Sequence, residues 1–291
     1  MRAARHWAGM EPRVAVLPYG TRWPRGLARV PLDRLVWPLG KAPGPGVAGD
    51  LGPGDHLIVF PSTAMLLAPH PGLRARLSLM LVEPRANEPG MARLAALTAR
   101  RFHRILTCDD ILLAAAPNAR AFTFGGCWVP GWAGLDLTKD RDLSLIASAK
   151  RALPGHRLRH AVATRLAAEG IACDVMGGGY RPFADKHEGL ARYRFSVVIE
   201  NVRQRGYFTE KLIDAILCRT IPIYWGAPDI GDRFDTAGMI VCESEAEILD
   251  ACRAATEGAY ARLLPAALGN IPRVAVYADP YGNAARAVLA D

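Results

Sequence analysis

Several features that would point directly to a function class are missing from this chain of 291 residues. Its six cysteines are scattered and form no C-x-x-C pair, which favours reduced, buried thiols over disulfides or zinc ligands. The histidines show no H-E-x-x-H or other paired ligand spacing. No window approaches the roughly 20 apolar residues of a membrane span, and Met1–Pro12 lacks the apolar stretch of a signal peptide. We therefore expect a cytoplasmic protein.

The charge of the chain points to an anionic partner. The formal net charge is +8, and 51% of the residues are hydrophobic, which is ample for a core. No dense block of lysine and arginine with interleaved aromatic residues occurs, so we expect no nucleic acid partner. A nucleotide remains a candidate. Peripheral contact with the inner face of a membrane stays open as an alternative.

Short apolar strands alternate with helical patterns along the chain, which is typical of parallel βαβ units. The alternation occurs in two sets, joined near residues 132–142. We predict an N-terminal Rossmann-like domain over residues 1–135, a C-terminal Rossmann-like domain over residues 136–275, and a tail over residues 276–291. The fold class is α/β.

The most informative segment is residues 194–228, where an apolar strand leads through a polar loop into a helix and then into a second apolar strand. The loop reaches the helix at Thr209, Glu210 and Lys211. In an open α/β sheet, ligands bind where strands end and helices begin. Free N–H groups at a helix start suit phosphate oxygens, and Lys211 adds a full positive charge. The segment therefore predicts a diphosphate site.

The residues of this segment resemble a known family. The pattern consists of Glu200-Asn201, then Gly206-Tyr-Phe-Thr-Glu-Lys-Leu212, then Ile221-Pro-Ile-Tyr-Trp-Gly-Ala-Pro228. In order and spacing it is similar to the signature of the family 10 glycosyltransferases, the α-1,3/1,4-fucosyltransferases. Two shorter stretches also resemble elements of this family: Ile146–Lys150 with Gly155–His160, and Met80–Pro84.

The resemblance implies a fold and a reaction. The fold is GT-B, with two Rossmann-like domains that face a central cleft and the donor held mainly by the C-terminal domain. The reaction transfers fucose from GDP-fucose to a hydroxyl of a glycan acceptor, with inversion at the anomeric carbon. Lipopolysaccharide and capsule oligosaccharides are among the candidate acceptors. The sequence has no Asp-x-Asp element in a plausible donor loop, and we expect no obligatory metal.

The resemblance also implies which residues bind the donor. Arg159 and Lys211 should contact the diphosphate, because arginine recognises phosphate bidentately and lysine acts as a point charge. Glu210 should contact the fucose hydroxyls and ring. A carboxylate favoured by the helix dipole is the structural alternative for Glu210, and both roles can hold together.

Four further polar residues belong to the predicted donor site. Tyr207 should bond a phosphate or pack on the nucleotide. Asn201 and Glu200 follow a strand and are placed to read donor hydroxyls, although a turn-forming role is the alternative for Asn201. Lys150 is a weaker phosphate candidate.

The base that deprotonates the acceptor is expected in the N-terminal half. Glu83 is the candidate, because it follows a strand of the buried type, where desolvation would raise its pKa toward a useful range. Glu88 is the alternative base. Two other functions stay open: a related GT-B glycosyltransferase with another nucleotide sugar, and a non-catalytic nucleotide- or polyanion-binding protein.

Overall fold

The computed structural model describes residues 11–23 and 25–290, and this part of the chain contains ten strands and eight α-helices. The strands are β1 (Val14–Val16), β2 (His56–Val59), β3 (Arg76–Met80), β4 (Ile105–Thr107), β5 (Ala119–Ala121), β6 (Arg141–Ile146), β7 (Asp174–Met176), β8 (Tyr193–Ile199), β9 (Ile221–Trp225) and β10 (Ile240–Val241). The helices are α1 (Thr63–Leu67), α2 (Pro89–Leu97), α3 (Asp110–Ala115), α4 (Pro154–Ala168), α5 (Glu210–Leu217), α6 (Glu245–Arg253), α7 (Glu257–Ala275) and α8 (Pro280–Leu289). The signal-peptide expectation concerns Met1–Pro12, of which residues 1–10 lie outside the described part.

The chain divides into two compact units, each built on its own parallel five-stranded sheet. Unit 1 comprises the chain up to Phe122 together with the chain from Tyr281 onward, and unit 2 is Thr123–Pro280. The sheets confirm the predicted α/β fold class with two Rossmann-like units. The domain boundaries differ from the predicted ones, because residues 123–135 belong to unit 2 and the supposed tail is shared between the units.

The chain returns to unit 1 at its C-terminal end. The strands occur in the order β1-β2-β3-β4-β5, and right-handed crossovers in one direction place the connecting helices on a single face. Helix α8 packs back onto this unit. The ring of Tyr281 lies 6.3 Å from that of Phe60, and Arg104 donates a hydrogen bond of 3.2 Å to the Ala290 carbonyl. The C-terminal helix is therefore part of unit 1.

Unit 2 has the strand order β10-β9-β8-β6-β7, and its site helix α5 is fixed at both ends. Thr209 caps the start of α5 by accepting from the Lys211 N–H. Leu212, Ile213 and Ile216 are buried in the core. At the far end, Lys139 Nζ donates to the Cys218 carbonyl over 2.7 Å. These contacts hold α5 in place at both ends.

No helix in residues 11–23 or 25–290 combines the length and the hydropathy needed to cross a bilayer.

The stability of unit 1 should depend on pH through His56. This side chain is 2% exposed, its Nδ1 has no partner, and the ring of His103 lies 5.0 Å away. Burial, and then the charge of His103, lowers the pKa of His56 from 6.5 to about 4. The unfolded chain therefore binds the extra proton between these values, and stability is lost as the pH falls through this window. In urea unfolding, the free energy of unfolding should fall by about 1–3 kcal/mol between pH 7 and pH 4.

The variant His56→Leu should flatten this pH dependence, because the site then has no proton to take up. An unchanged slope of the unfolding free energy against pH in His56→Leu would contradict the assignment.

Candidate functional site

The predicted donor residues lie where the winding of the unit 2 sheet reverses. Strands β6 and β8 are neighbours in this sheet, with β7 on one side of the pair and β9 on the other. In open α/β sheets, ligands bind outside the carboxyl ends of the strands at such a switch point. The segment after β6 leads into α4, and the segment after β8 leads into α5. Both therefore start at this edge of the sheet.

The first turn of α4 lies directly against the loop after β8. The Gly155 N–H donates to the Asn201 carbonyl over 2.9 Å. A Cβ atom at Gly155 would lie 1.7 Å from the Glu200 carbonyl oxygen, so only glycine fits there. This close approach brings residues of α4 beside Glu200 and Asn201.

Arg159 is a buried cation at this edge, with 4% of its surface exposed. Its guanidinium donates to the Ile199 carbonyl at 2.9 and 2.6 Å and to Asn201 Oδ1 at 2.9 Å. Within the described ranges it has no carboxylate inside 4.0 Å. Burial lowers its pKa, and the charges of Glu200, Tyr207 and Glu210 act in the opposite direction. The positive charge is thus held by neutral oxygens, which leaves it able to attract an anion.

Glu200 ties the end of β8 to the start of α5. Its carboxylate is fully buried and accepts from the Thr209 N–H and the Thr209 hydroxyl, both at 2.8 Å. Burial raises its pKa, an effect that the Lys211 charge counteracts. Both carboxylate oxygens are occupied by Thr209. In this geometry Glu200 positions α5, whereas the contact with donor hydroxyls predicted for it stays a prediction.

Lys211 and Glu210 form the half-exposed part of the cluster. Lys211 Nζ lies 3.0 Å from Thr209 Oγ1, 3.1 Å from Glu210 Oε1 and 3.7 Å from Glu200 Oε2. Burial tends to raise the pKa of Glu210, but Lys211 and Lys186 outweigh it and hold the pKa below its usual range. Glu210 is therefore ionised at neutral pH. An ionised carboxylate next to an ammonium group can stabilise a cationic sugar and an anionic leaving group, respectively.

The remaining predicted donor residues surround Arg159 to different degrees. Tyr207 is buried, and its hydroxyl accepts from Asn201 Nδ2 at 3.4 Å. Lys150 is exposed. Burial, followed by the charges of Arg159 and Lys150, lowers the pKa of the buried side chain of His156. Arg159 and Lys150 are thus near enough to act on the charge of His156, a residue to which the sequence analysis assigned no role in the donor site.

Sequence reasoning expected burial for Glu83, and this expectation was wrong. Strand β3 ends at Met80, three residues earlier, and the Glu83 side chain is exposed and accepts from Asn87 Nδ2 over 2.8 Å. The chain leaves the core before it reaches this carboxylate, so the desolvation argument does not apply to it. The role of Glu83 as the base stays a prediction.

Glu88 has the environment that was expected of Glu83. It is half-buried, and its pKa is raised by burial and then by the negative charge of Glu83. Both carboxylates line a small pocket of unit 1, together with the Arg85–Asp109 ion pair. The pocket lies at the carboxyl edge of the unit 1 sheet, since Asp109 follows β4 and Glu83 follows β3.

Within the described residues, no group of three His, Cys, Asp or Glu side chains is placed to hold a metal ion.

Comparison with known proteins agrees with the predicted family. Residues 138–234 match the model of the glycosyltransferase family 10 (fucosyltransferase) C-terminal domain. The α-(1,3)-fucosyltransferase FucT of Helicobacter pylori is 43% identical over 56 residues, which are 19% of this chain and 12% of that protein. A putative fucosyltransferase-like protein of Arabidopsis thaliana is 36% identical over 63 residues, or 21% of this chain and 12% of that protein. The matched stretches thus span about an eighth of each relative.

Among solved structures, an α1,3-fucosyltransferase with GDP-fucose is 19% identical, with a TM-score of 0.48, and covers 71% of this chain and 68% of its own. An α1,3-fucosyltransferase with GDP is 16% identical, with a TM-score of 0.47, and covers 78% and 77%.

The contact at Gly155 predicts a strong effect of a single methyl group. Gly155→Ala should destabilise unit 2 by about 1–3 kcal/mol or push α4 away from the loop after β8, because the new Cβ overlaps the Glu200 carbonyl. The measurement is the free energy of unfolding in urea.

Gly178→Ala is the matched control, since a Cβ at Gly178 meets no atom within 4 Å and Gly178 has no positive φ. Equal effects of the two substitutions would contradict the assigned packing.

Proposed function

We propose that this chain, whose residues 138–234 belong to glycosyltransferase family 10, is an inverting fucosyltransferase that moves fucose from GDP-fucose to a hydroxyl of a glycan. The observation that carries the proposal is the cluster at the switch point of unit 2. It combines a buried arginine held by neutral oxygens, a lysine at a helix start and an ionised glutamate within the segment that matches the family model.

In this proposal Arg159 and Lys211 bind the diphosphate. Both are cations at the carboxyl ends of β6 and β8, where the starts of α4 and α5 add backbone dipoles. As the bond between the sugar and the diphosphate breaks, negative charge grows on the leaving oxygen, and these groups stabilise it. We propose that this charge balance needs no divalent metal, so that EDTA leaves the rate unchanged. A fucose donor is supported by the match of residues 138–234 to the fucosyltransferase family model.

The reaction itself is a single displacement. The acceptor oxygen attacks the anomeric carbon, the bond from that carbon to the diphosphate oxygen breaks, and the acceptor proton passes to a carboxylate base. Positive charge develops on the sugar ring during this step, and Glu210 is the ionised group assigned to stabilise it. Attack opposite the leaving group inverts the configuration.

For the base we favour Glu88 over Glu83. Burial and the negative charge of Glu83 raise the pKa of Glu88, which brings this carboxylate closer to the range of a useful base near neutral pH. The acceptor is a glycan hydroxyl, with lipopolysaccharide and capsule oligosaccharides among the candidates. The six free cysteines support a reducing, cytoplasmic location, with peripheral membrane contact as an accessory possibility.

Binding of GDP should depend on Lys211. In isothermal titration, Lys211→Met should weaken GDP binding by about 10- to 100-fold, because a charge-assisted bond to phosphate is worth about 1.5–3 kcal/mol. Binding of guanosine, which has no phosphate, should be unchanged. Lys211→Arg, which keeps the charge, should retain most of the affinity.

Lys41→Met is the matched control, since this lysine is exposed, lies in unit 1 outside the predicted donor site, and removal of its charge should change GDP affinity by less than about threefold. Tighter binding of UDP or dTDP than of GDP by the unmodified protein would favour the alternative glycosyltransferase. Loss of guanosine binding in Lys211→Met would contradict the phosphate assignment.

The pH profile of transfer should identify the base. A carboxylate base works only when ionised, so kcat/KM should fall as the pH drops through the raised pKa of Glu88. Glu88→Gln should lower the rate by about 10²–10⁴-fold. Glu83→Gln should leave the enzyme active and shift the profile to lower pH, because the charge that raises the Glu88 pKa is gone. The reverse pattern, with Glu83→Gln inactive and Glu88→Gln active, assigns the base to Glu83.

A further inference from the structure

Trp128 has an unusual position for so large an apolar side chain. It is 67% exposed, yet it lies in unit 2 in direct contact with the helix that carries Glu210. The main-chain N–H of Trp128 donates to both carboxylate oxygens of Asp214, at 3.0 and 3.3 Å. Asp214 follows Glu210 by four residues, so both lie on one side of α5, one turn apart.

A buried ion pair holds the indole in place. Lys186 Nζ lies 2.7 Å from Asp214 Oδ2, and the two side chains are 10% and 0% exposed. The same ammonium group is 5.3 Å from the centroid of the Trp128 ring, close enough for a cation–π contact. The indole is therefore fixed through both its main chain and its ring, even though most of its surface faces water.

The indole of Trp128 lies near the main chain of Glu210. Lys186 Nζ also donates to the Glu210 carbonyl oxygen over 3.3 Å. Together with the 5.3 Å to the ring, this places the Trp128 centroid no more than about 8.6 Å from that oxygen. This oxygen is the main-chain carbonyl of Glu210, so the indole lies beside the first turn of α5, and Glu210 of that turn is the residue assigned to the transferred fucose.

The chemistry of the surface decides what it binds. Lys186 is neutralised by Asp214, so the indole face attracts no phosphate. A fixed aromatic plate exposes apolar area at little entropic cost on binding, which suits the C–H face of a pyranose. The guanine base is separated from the transferred sugar by a ribose and two phosphates, which places it away from Glu210.

We propose that Trp128, held by the Lys186–Asp214 ion pair, is the platform on which a pyranose ring of the glycan acceptor stacks beside the transferred fucose. The inference rests on the proposed fucosyltransferase function and adds a subsite for a neutral sugar to it. Trp128 thereby becomes a determinant of acceptor affinity, and it leaves donor affinity unaffected.

The experiment is saturation-transfer NMR with lactose, N-acetyllactosamine and cellobiose on the full chain in the presence of GDP. We expect transfer to one ring of at least one disaccharide. In Trp128→Ala the signal should fall at least about fivefold, which corresponds to the loss of an aromatic contact, and Trp128→Phe should retain part of it. Leu97→Ala, at another exposed apolar side chain, is the control and should leave the signal unchanged.

Three results would overturn the platform. The first is an unchanged signal in Trp128→Ala, and the second is no saturation transfer to any of the three disaccharides in the unmodified protein. The third is weaker GDP binding in Trp128→Ala, which would mean that the indole contacts the guanine base. Release of GDP from GDP-fucose, measured in parallel, keeps the two proposals apart. If the unmodified protein releases no GDP with any acceptor, the result counts against the fucosyltransferase proposal. If Trp128→Ala releases GDP as fast as the unmodified protein, the result counts against the platform alone.

Discussion

The proposed donor site of unit 2 depends on one buried carboxylate, that of Glu200. Both of its oxygens accept from Thr209, and Thr209 in turn caps α5 and contacts the Lys211 ammonium. Burying a carboxylate without partners is costly, and these bonds together with the nearby Lys211 charge offset that cost. The end of β8 is thereby tied to the start of α5. Glu210 and Lys211, in the first turn of α5, take their positions from this connection.

The two cations of the proposed site differ in how firmly the protein holds them. Arg159 is held by the Ile199 carbonyl and the Asn201 side chain, so its position does not depend on a ligand. Lys211 is shared between two carboxylates and is partly exposed, so it can exchange a contact with Glu210 for one with a phosphate. Under the proposed function, such an exchange would free the Glu210 carboxylate to face the sugar.

The sequence was most informative where local pattern and tertiary structure agree. Strand β8, helix α5 and strand β9 follow from residues 194–228, since the apolar runs and the Thr-Glu-Lys helix start are local signals. The burial of Glu83 was mispredicted because strand length depends on pairing with β4, which ends the ladder at Met80. The importance of His156 and the Glu200–Thr209 bond depends on contacts between distant segments. No periodicity predicts such contacts, nor the return of α8 to unit 1.

The most direct test of the account is a crystal structure of the chain with GDP. The account predicts both phosphates at the carboxyl ends of β6 and β8, with Lys211 Nζ and the Arg159 guanidinium in hydrogen-bond contact with phosphate oxygens and Glu200 still bonded to Thr209. GDP bound elsewhere in unit 2, or bound at this edge while Lys211 keeps its contact with Glu210, would contradict it.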